Sequence, residues 1–241
     1  MKISEKVKLD RKGLEQNGPI TIVALGDSVT HGAFEKDNID YEAVYHNQLA
    51  KMIRNAHPYV PVNVINAGIG GTSAPLGVER FDSQVARHSP DLVIICFGLN
   101  DVNGNLNTYA SALLSLFKKC ISIGAETVFL TPNMLNTYVA DDTHLPHLEY
   151  AKKTAEMQNS GKMDDFMQVA KDIAVEFNIP VADAYAVWKK LSEKTDTTLL
   201  LANRINHPSR EMHKLFAKLI YEIILPSNEI PSEFNSLMFE E

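Results

Sequence analysis

The feature that most constrains this chain is a series of short, almost wholly apolar runs, each stopping abruptly at a polar or glycine-rich turn. ITIVALG at 20–26 gives way to Asp27 and Ser28, PVNVINA at 61–67 to Gly68, Gly70 and Gly71, and DLVIICFG at 91–98 to Leu99, Asn100 and Asp101. Runs of this length without polar alternation suit strands buried on both faces of a parallel sheet. Apolar residues at Tyr41, Val44, Tyr45, Leu49 and Met52 or Ile53 have helical spacing over 41–54, and further helices are expected over 78–88 and over 108–123, the latter ended by Gly124. A fourth strand is expected at 126–131, a helix over 160–178, and a short fifth strand at 179–182, where Pro180 favours an edge or a strand start. A last helix is expected over 209–224, with Ser209 as its N-cap candidate and Pro226 marking its end.

Strands alternating with helices imply a parallel sheet covered on both faces and joined by right-handed crossovers. Ligands of such sheets bind beyond the carboxyl ends of the strands. Ser28, the glycines at 68–71 and Asn100 all follow strand ends, so one rim collects them.

With 241 residues, 45% of them hydrophobic, the chain can bury a substantial core,. No linker interrupts it, so 1–241 reads as one domain, with 1–19 as a polar N-terminal arm and 227–241 as a C-terminal tail. The formal net charge of -7 lacks the basic excess that a nucleic-acid partner needs. The N-terminal 18 residues have no apolar signal-like stretch, and no later run reaches the roughly 20 apolar residues of a membrane span. The expectation is therefore a cytoplasmic protein, with Cys96 and Cys120 as buried thiols.

A serine hydroxyl needs a base within hydrogen-bond reach to act as a nucleophile. His207, in Asn206-His207-Pro208-Ser209 ahead of the last helix, is the first choice, and His213 the second. An oxyanion at Ser28 needs donors, for which Gly71 and Asn100 are candidates. Asp27 and Asp101 read as side chains bracing their own turns, Asn66 as structural, and Trp188, Tyr185 and Leu191 as core. His144 and His147 lack a carboxylate or cysteine cluster to complete a metal site, so neither a metal nor a cofactor is expected. The polar segment 133–147 is long for a connection and is expected to shape a substrate pocket. A rival reading is a nucleotide-binding module, since 68–73 resembles part of a dinucleotide fingerprint, although Ser73 replaces its third glycine.

Four blocks in order resemble the SGNH hydrolases, the GDSL family of esterases and lipases: Gly26-Asp27-Ser28-Val29, Asn66-Ala67-Gly68-Ile69-Gly70-Gly71, Gly98-Leu99-Asn100-Asp101 and His207-Pro208. The resemblance spans roughly residues 20–220. It implies a flavodoxin-like three-layer α/β/α sandwich around a central, about five-stranded parallel sheet. It implies Ser28 as nucleophile, His207 as base, and an oxyanion hole of the Ser28 N–H, the Gly71 N–H and the Asn100 amide, working on a small-molecule ester. Short acyl groups such as acetyl on a polar or carbohydrate leaving group are the expected substrates, and a silent acyl-ligand-binding relative is a further alternative.

One departure stands out. Family members usually carry an Asp three residues before the histidine, and that position here is Arg204, which cannot accept the Nδ1–H bond. A Ser-His dyad is expected, its imidazole oriented by a backbone carbonyl, by Asn203 or by a carboxylate from elsewhere.

Overall fold

The computed structural model describes residues 1–226, so the expected 227–241 tail lies outside the described residues. Five parallel strands, β1 (Ile20–Gly26), β2 (Val62–Gly68), β3 (Leu92–Cys96), β4 (Glu126–Leu130) and β5 (Val181–Ala182), form one sheet in the order β2-β1-β3-β4-β5. This is the doubly wound flavodoxin-like order. Residues of β3 are buried throughout, whereas Asn63 and Asn66 of the edge strand β2 are exposed. The burial contrast follows from position, because only the inner strand has neighbours on both sides as well as both faces covered.

Helices α1 (Ile3–Lys6), α2 (Arg11–Asn17), α3 (Ser28–His31), α4 (Tyr45–Ala56), α5 (Ala74–Gln84), α6 (Leu106–Ser122), α7 (Leu148–Asn159), α8 (Lys162–Glu176), α9 (Ala184–Leu191) and α10 (Arg210–Ile224) complete the chain. α4 packs on α10, while α5 packs on α6 and α6 on α8. Right-handed crossovers place these two groups on opposite faces of the sheet, giving three layers.

Register brings the rim together. Gly26 pairs with Gly68 of β2 and with Cys96 of β3. The turns leaving all three strands therefore start at one level, and β1, in the middle, delivers Ser28 between the other two.

Several elements differ from expectation. The N-terminal segment contributes to the core instead of remaining a polar arm: Ile3 is wholly buried and Val7 nearly so. They lie one helical turn apart, and the intervening Lys6 stays tolerable in that setting because its ammonium meets Asp91 at 2.7 Å,. α4 starts at Tyr45 and not at 41, and α5 starts at Ala74, ahead of the expected 78, with Pro75 in its first turn, where a missing N–H costs nothing. α7 and α9 were not expected as helices, yet Trp188, Tyr185 and Leu191 are core side chains as read. β5 lies at the sheet edge, just after Pro180.

Candidate active site

Ser28 opens a single helical turn at the end of β1. The Asp27 carboxylate caps that turn by accepting from the Val29 N–H at 2.9 Å, and the Gly32 and Ala33 N–H groups both return to the Ser28 carbonyl. This folds the chain back immediately, leaving the Ser28 N–H at the orphan end of a helical turn. Gly68 makes the close seat possible: a Cβ there would fall 2.2 Å from the His31 backbone nitrogen, so only glycine lets β2 pass beneath α3.

His207 Nε2 lies 3.0 Å from Ser28 Oγ, and its Nδ1 lies 2.9 Å from the carbonyl oxygen of Phe34. A carbonyl can only accept, so Nδ1 carries the proton and Nε2 offers its lone pair to the serine hydroxyl. The backbone carbonyl is thus the orienting partner among the three alternatives. Asn203 holds the loop instead of the ring, its Oδ1 accepting from the N–H groups of Ile205, Asn206 and His207 at 2.9 to 3.0 Å. Arg204, with φ at 61°, turns away to pair with Asp142 at 3.0 Å and to donate to the Leu199 and Leu201 carbonyls. Burial holds the His207 pKa below its ordinary 6.5, and the Phe34 carbonyl opposes part of that shift,.

The Phe34 carbonyl is itself held. Phe34 N–H donates to the Asn38 carbonyl at 3.0 Å, Asp40 N–H to the Gly32 carbonyl at 2.8 Å, and Ala33 bridges Ile39. Arg210, the first residue of α10, lays its guanidinium 4.4 Å from the Phe34 ring centroid and reaches Asp40 at 2.9 Å and Glu35 at 2.8 Å. One side chain therefore ties the loop that orients the imidazole to the helix that follows His207 by three residues.

The turns after β2 and β3 brace each other. Gly71 takes φ of 75°, the left-handed region that glycine enters without strain,. Asn100 Nδ2 donates to the Thr72 carbonyl at 2.9 Å, and Asp101 Oδ1 accepts from the Ala74 N–H at 2.9 Å. A primary amide has two N–H bonds, so the Thr72 contact leaves Asn100 one further donor. Asp27 braces its own turn as read, whereas Asp101 reaches across to the start of α5, and each keeps a buried Oδ2 with no hydrogen-bond partner among the described residues. Burial pushes Asp27 up to about 7 and Asp101 to about 6. Arg80, whose guanidinium donates to the Gly26 and Ala67 carbonyls, draws Asp27 down slightly. Asn66 is structural as read, linking the His31 carbonyl to the Gly68 N–H.

Of the other candidates, His147 stands near enough to His207 to lower its pKa. His213 is fully buried, accepts from the Tyr45 N–H at 3.1 Å and is pushed down by burial to about 3, with its ring packed against Phe34. It is no rival base at the rim. His144 and His147 have ring centroids 5.1 Å apart, and no group of three or more metal-ligating side chains is found among the described residues. The fingerprint-like turn at 68–73 does lead into α5, but the helix N-terminus that would meet a phosphate is taken by the chain's own Asp101 carboxylate,.

Two asparagines of the segment 133–147 face inward, while its far end comes near enough to the site for His147 to lower the His207 pKa. Asn133 and Asn136 are wholly buried and point inward, Asn133 donating to the Met134 and Asn206 carbonyls and Asn136 to those of Tyr138 and Ala151. Their amides hold the segment together and tie it to the His207 loop. At these two positions polarity marks backbone satisfaction.

Residues 24–215 match the model of the GDSL-like lipase/acylhydrolase family. An acetylxylan esterase of Geobacillus stearothermophilus is 23% identical over 218 residues, covering 82% of this chain and 90% of that protein. An uncharacterized lipoprotein, YqeF, of Bacillus subtilis is 23% identical over 229 residues, covering 87% of this chain and 90% of that protein. The crystal structure of the Geobacillus acetylxylan esterase superposes with a TM-score of 0.69 at 21% identity, covering 88% of this chain and 97% of that one. An α/β-hydrolase enzyme from the metagenome of Lake Arreo, Spain, superposes with a TM-score of 0.68 at 18% identity over 87% of this chain and 97% of its own. Catalytic mutants of the Geobacillus enzyme have been crystallised at a serine, at a histidine and at an aspartate three positions before that histidine.

Proposed function

This chain belongs to the GDSL-like lipase/acylhydrolase family, and from that premise we propose that it is a serine esterase removing short acyl groups, acetyl foremost, from carbohydrates. The reading is carried by one observation, the 3.0 Å bond between Ser28 Oγ and His207 Nε2, with the far nitrogen of the ring tied to the Phe34 carbonyl.

The mechanism follows from the tautomer. As Ser28 Oγ attacks the ester carbonyl carbon, its proton passes to His207 Nε2, and the carbonyl electrons move onto the oxygen. The N–H groups of Ser28 and Gly71 and the free N–H of Asn100 are the donors for that oxyanion. Collapse expels the leaving alcohol, which takes the proton from His207, and leaves the acyl group on Ser28. Water, deprotonated by the same Nε2, then releases the acid. The imidazolium formed midway is stabilised by a carbonyl dipole in place of a carboxylate, a weaker partner for a positive charge.

The preference for acetylated carbohydrates rests on the acetylxylan esterase relative. The test is hydrolysis of p-nitrophenyl acetate and of acetylated xylosides by the wild type and by Ser28→Ala. Turnover of both by the wild type and of neither by the variant is expected; equal activity in Ser28→Ala refutes the reading.

A further inference from the structure

The wall beside Ser28 that is formed by residues 31–41 contains polar ring groups with no structural duty. Ideal geometry puts a Cβ on Gly70 at a point 3.8 Å from His31 Nδ1 and 3.8 Å from Ser28 Cβ, with no closer neighbour. The imidazole and the serine thus flank one small space that the missing side chain leaves open. His31 is half-buried, and its ring makes no hydrogen bond among the described residues. Beyond it stands Tyr41, its ring centroid 6.1 Å from that of His31 and tilted by 37°. Tyr41 is 54% exposed, and its hydroxyl has no partner among the described residues.

The backbone holds this pair firmly while leaving its polar atoms free. The His31 carbonyl accepts from Asn66, the Gly32 carbonyl from the Asp40 N–H, and the Tyr41 carbonyl from Asn47. An exposed tyrosine and a half-buried histidine, both anchored and both with unused hydrogen-bonding groups, fit a ligand surface better than a packing one.

We infer that His31 and Tyr41 form the subsite for the leaving group, a sugar ring whose hydroxyls bond the imidazole and phenol and whose C–H face lies against Tyr41. The chemistry favours the leaving group because an acetyl group offers no donor and little surface, so selectivity has to come from contacts to the alcohol part. A pyranose combines an apolar C–H face with a rim of hydroxyls, which a tilted pair of polar aromatic rings matches. The inference rests on the esterase reading for the position of the ester at Ser28.

Two measurements separate the subsite from that reading. Specificity constants for an acetylated methyl xyloside and for p-nitrophenyl acetate are compared in the wild type, His31→Ala, Tyr41→Ala and, as a control at the opposite end of the sheet, Tyr59→Ala. The sugar-to-aryl ratio should fall about tenfold in the first two variants through KM, the loss expected for one or two hydrogen bonds and a ring contact, and should hold in the control. An unchanged ratio, or equal loss on both substrates, overturns the subsite. In a Ser28→Ala background, binding of the same acetylated xyloside, followed by saturation-transfer NMR, should weaken when His31→Ala is added. Unchanged binding overturns the subsite, whereas binding lost on cue with no turnover by the wild type leaves the subsite standing and refutes the esterase.

Discussion

His207 Nδ1 and the Phe34 carbonyl oxygen lie 2.9 Å apart, and Arg204 stands three residues before that histidine, where the Geobacillus esterase has an aspartate. A carbonyl fixes the tautomer as firmly as a carboxylate does, but it supplies a dipole where the carboxylate supplies a full charge.

The first consequence is in the pH profile. Burial lowers the His207 pKa from 6.5, and the base must be neutral to accept the serine proton. kcat/KM is therefore lost as pH falls through a midpoint below 6.5 and is retained above it. A pH series on p-nitrophenyl acetate checks this, and an acid limb above 7 that persists in Asp27→Asn contradicts it.

Arg210 is expected to act through Phe34. Its stacking and its bonds to Glu35 and Asp40 steady the carbonyl that aims the ring. Arg210→Ala should lower kcat by about tenfold or more with little change in KM, because the contact matters to alignment in the transition state. Arg210→Lys, which keeps the charge but loses the planar fork, should recover only part of it. Steady-state kinetics beside thermal melts separate this from simple unfolding.

Asn100 should contribute as an oxyanion donor. Asn100→Ala is expected to cost about 10²–10³ in kcat, measured on the same aryl ester. Unchanged kcat in a folded variant removes Asn100 from that role.

Asp27 leaves a signature in stability. Burial raises it from 3.8 to about 7, so the folded chain keeps a proton that the unfolded chain releases. Across that window its contribution makes stability fall as pH rises, by up to a few kcal/mol in all. Asp27→Asn, whose amide oxygen can still cap Val29, should remove that contribution, so the variant's stability relative to the wild type should be greater at pH 7.5 than at pH 4.5. Urea melts at pH 4.5 and 7.5 on both proteins test this.

Much of the rim was legible in the sequence because it is written in local patterns. An apolar run ending in Asp27-Ser28 or Asn100-Asp101 announces both a strand and the turn after it, and parallel topology aligns those ends without further information. What orients His207 was not legible. The partner is a main-chain carbonyl, which every residue has, so nothing about the side chain at Phe34 marks the role; only the narrowing from Arg204 to three alternatives was available. Arg210, in contrast, left a faint signal as a charged residue next to the His207 block, with acidic Glu35 and Asp40 far away in sequence. The inward direction of the asparagines at 133 and 136 was not legible either. Polar residue types point to a ligand or to unpaired backbone with equal force, and burial decides which. Ile3 and Val7 were hidden by the charged residues around them.

The central claim is that Ser28, activated by His207, forms the acyl-enzyme. The most direct measurement is intact-protein and peptide mass spectrometry after exposure to a fluorophosphonate, run on the wild type, Ser28→Ala and His207→Ala. One phosphonyl group per chain mapped to Ser28, absent from Ser28→Ala and formed far more slowly in His207→Ala, is the predicted result. A folded wild-type chain that hydrolyses aryl esters yet stays unlabelled at Ser28, or labels at another residue, would contradict the account.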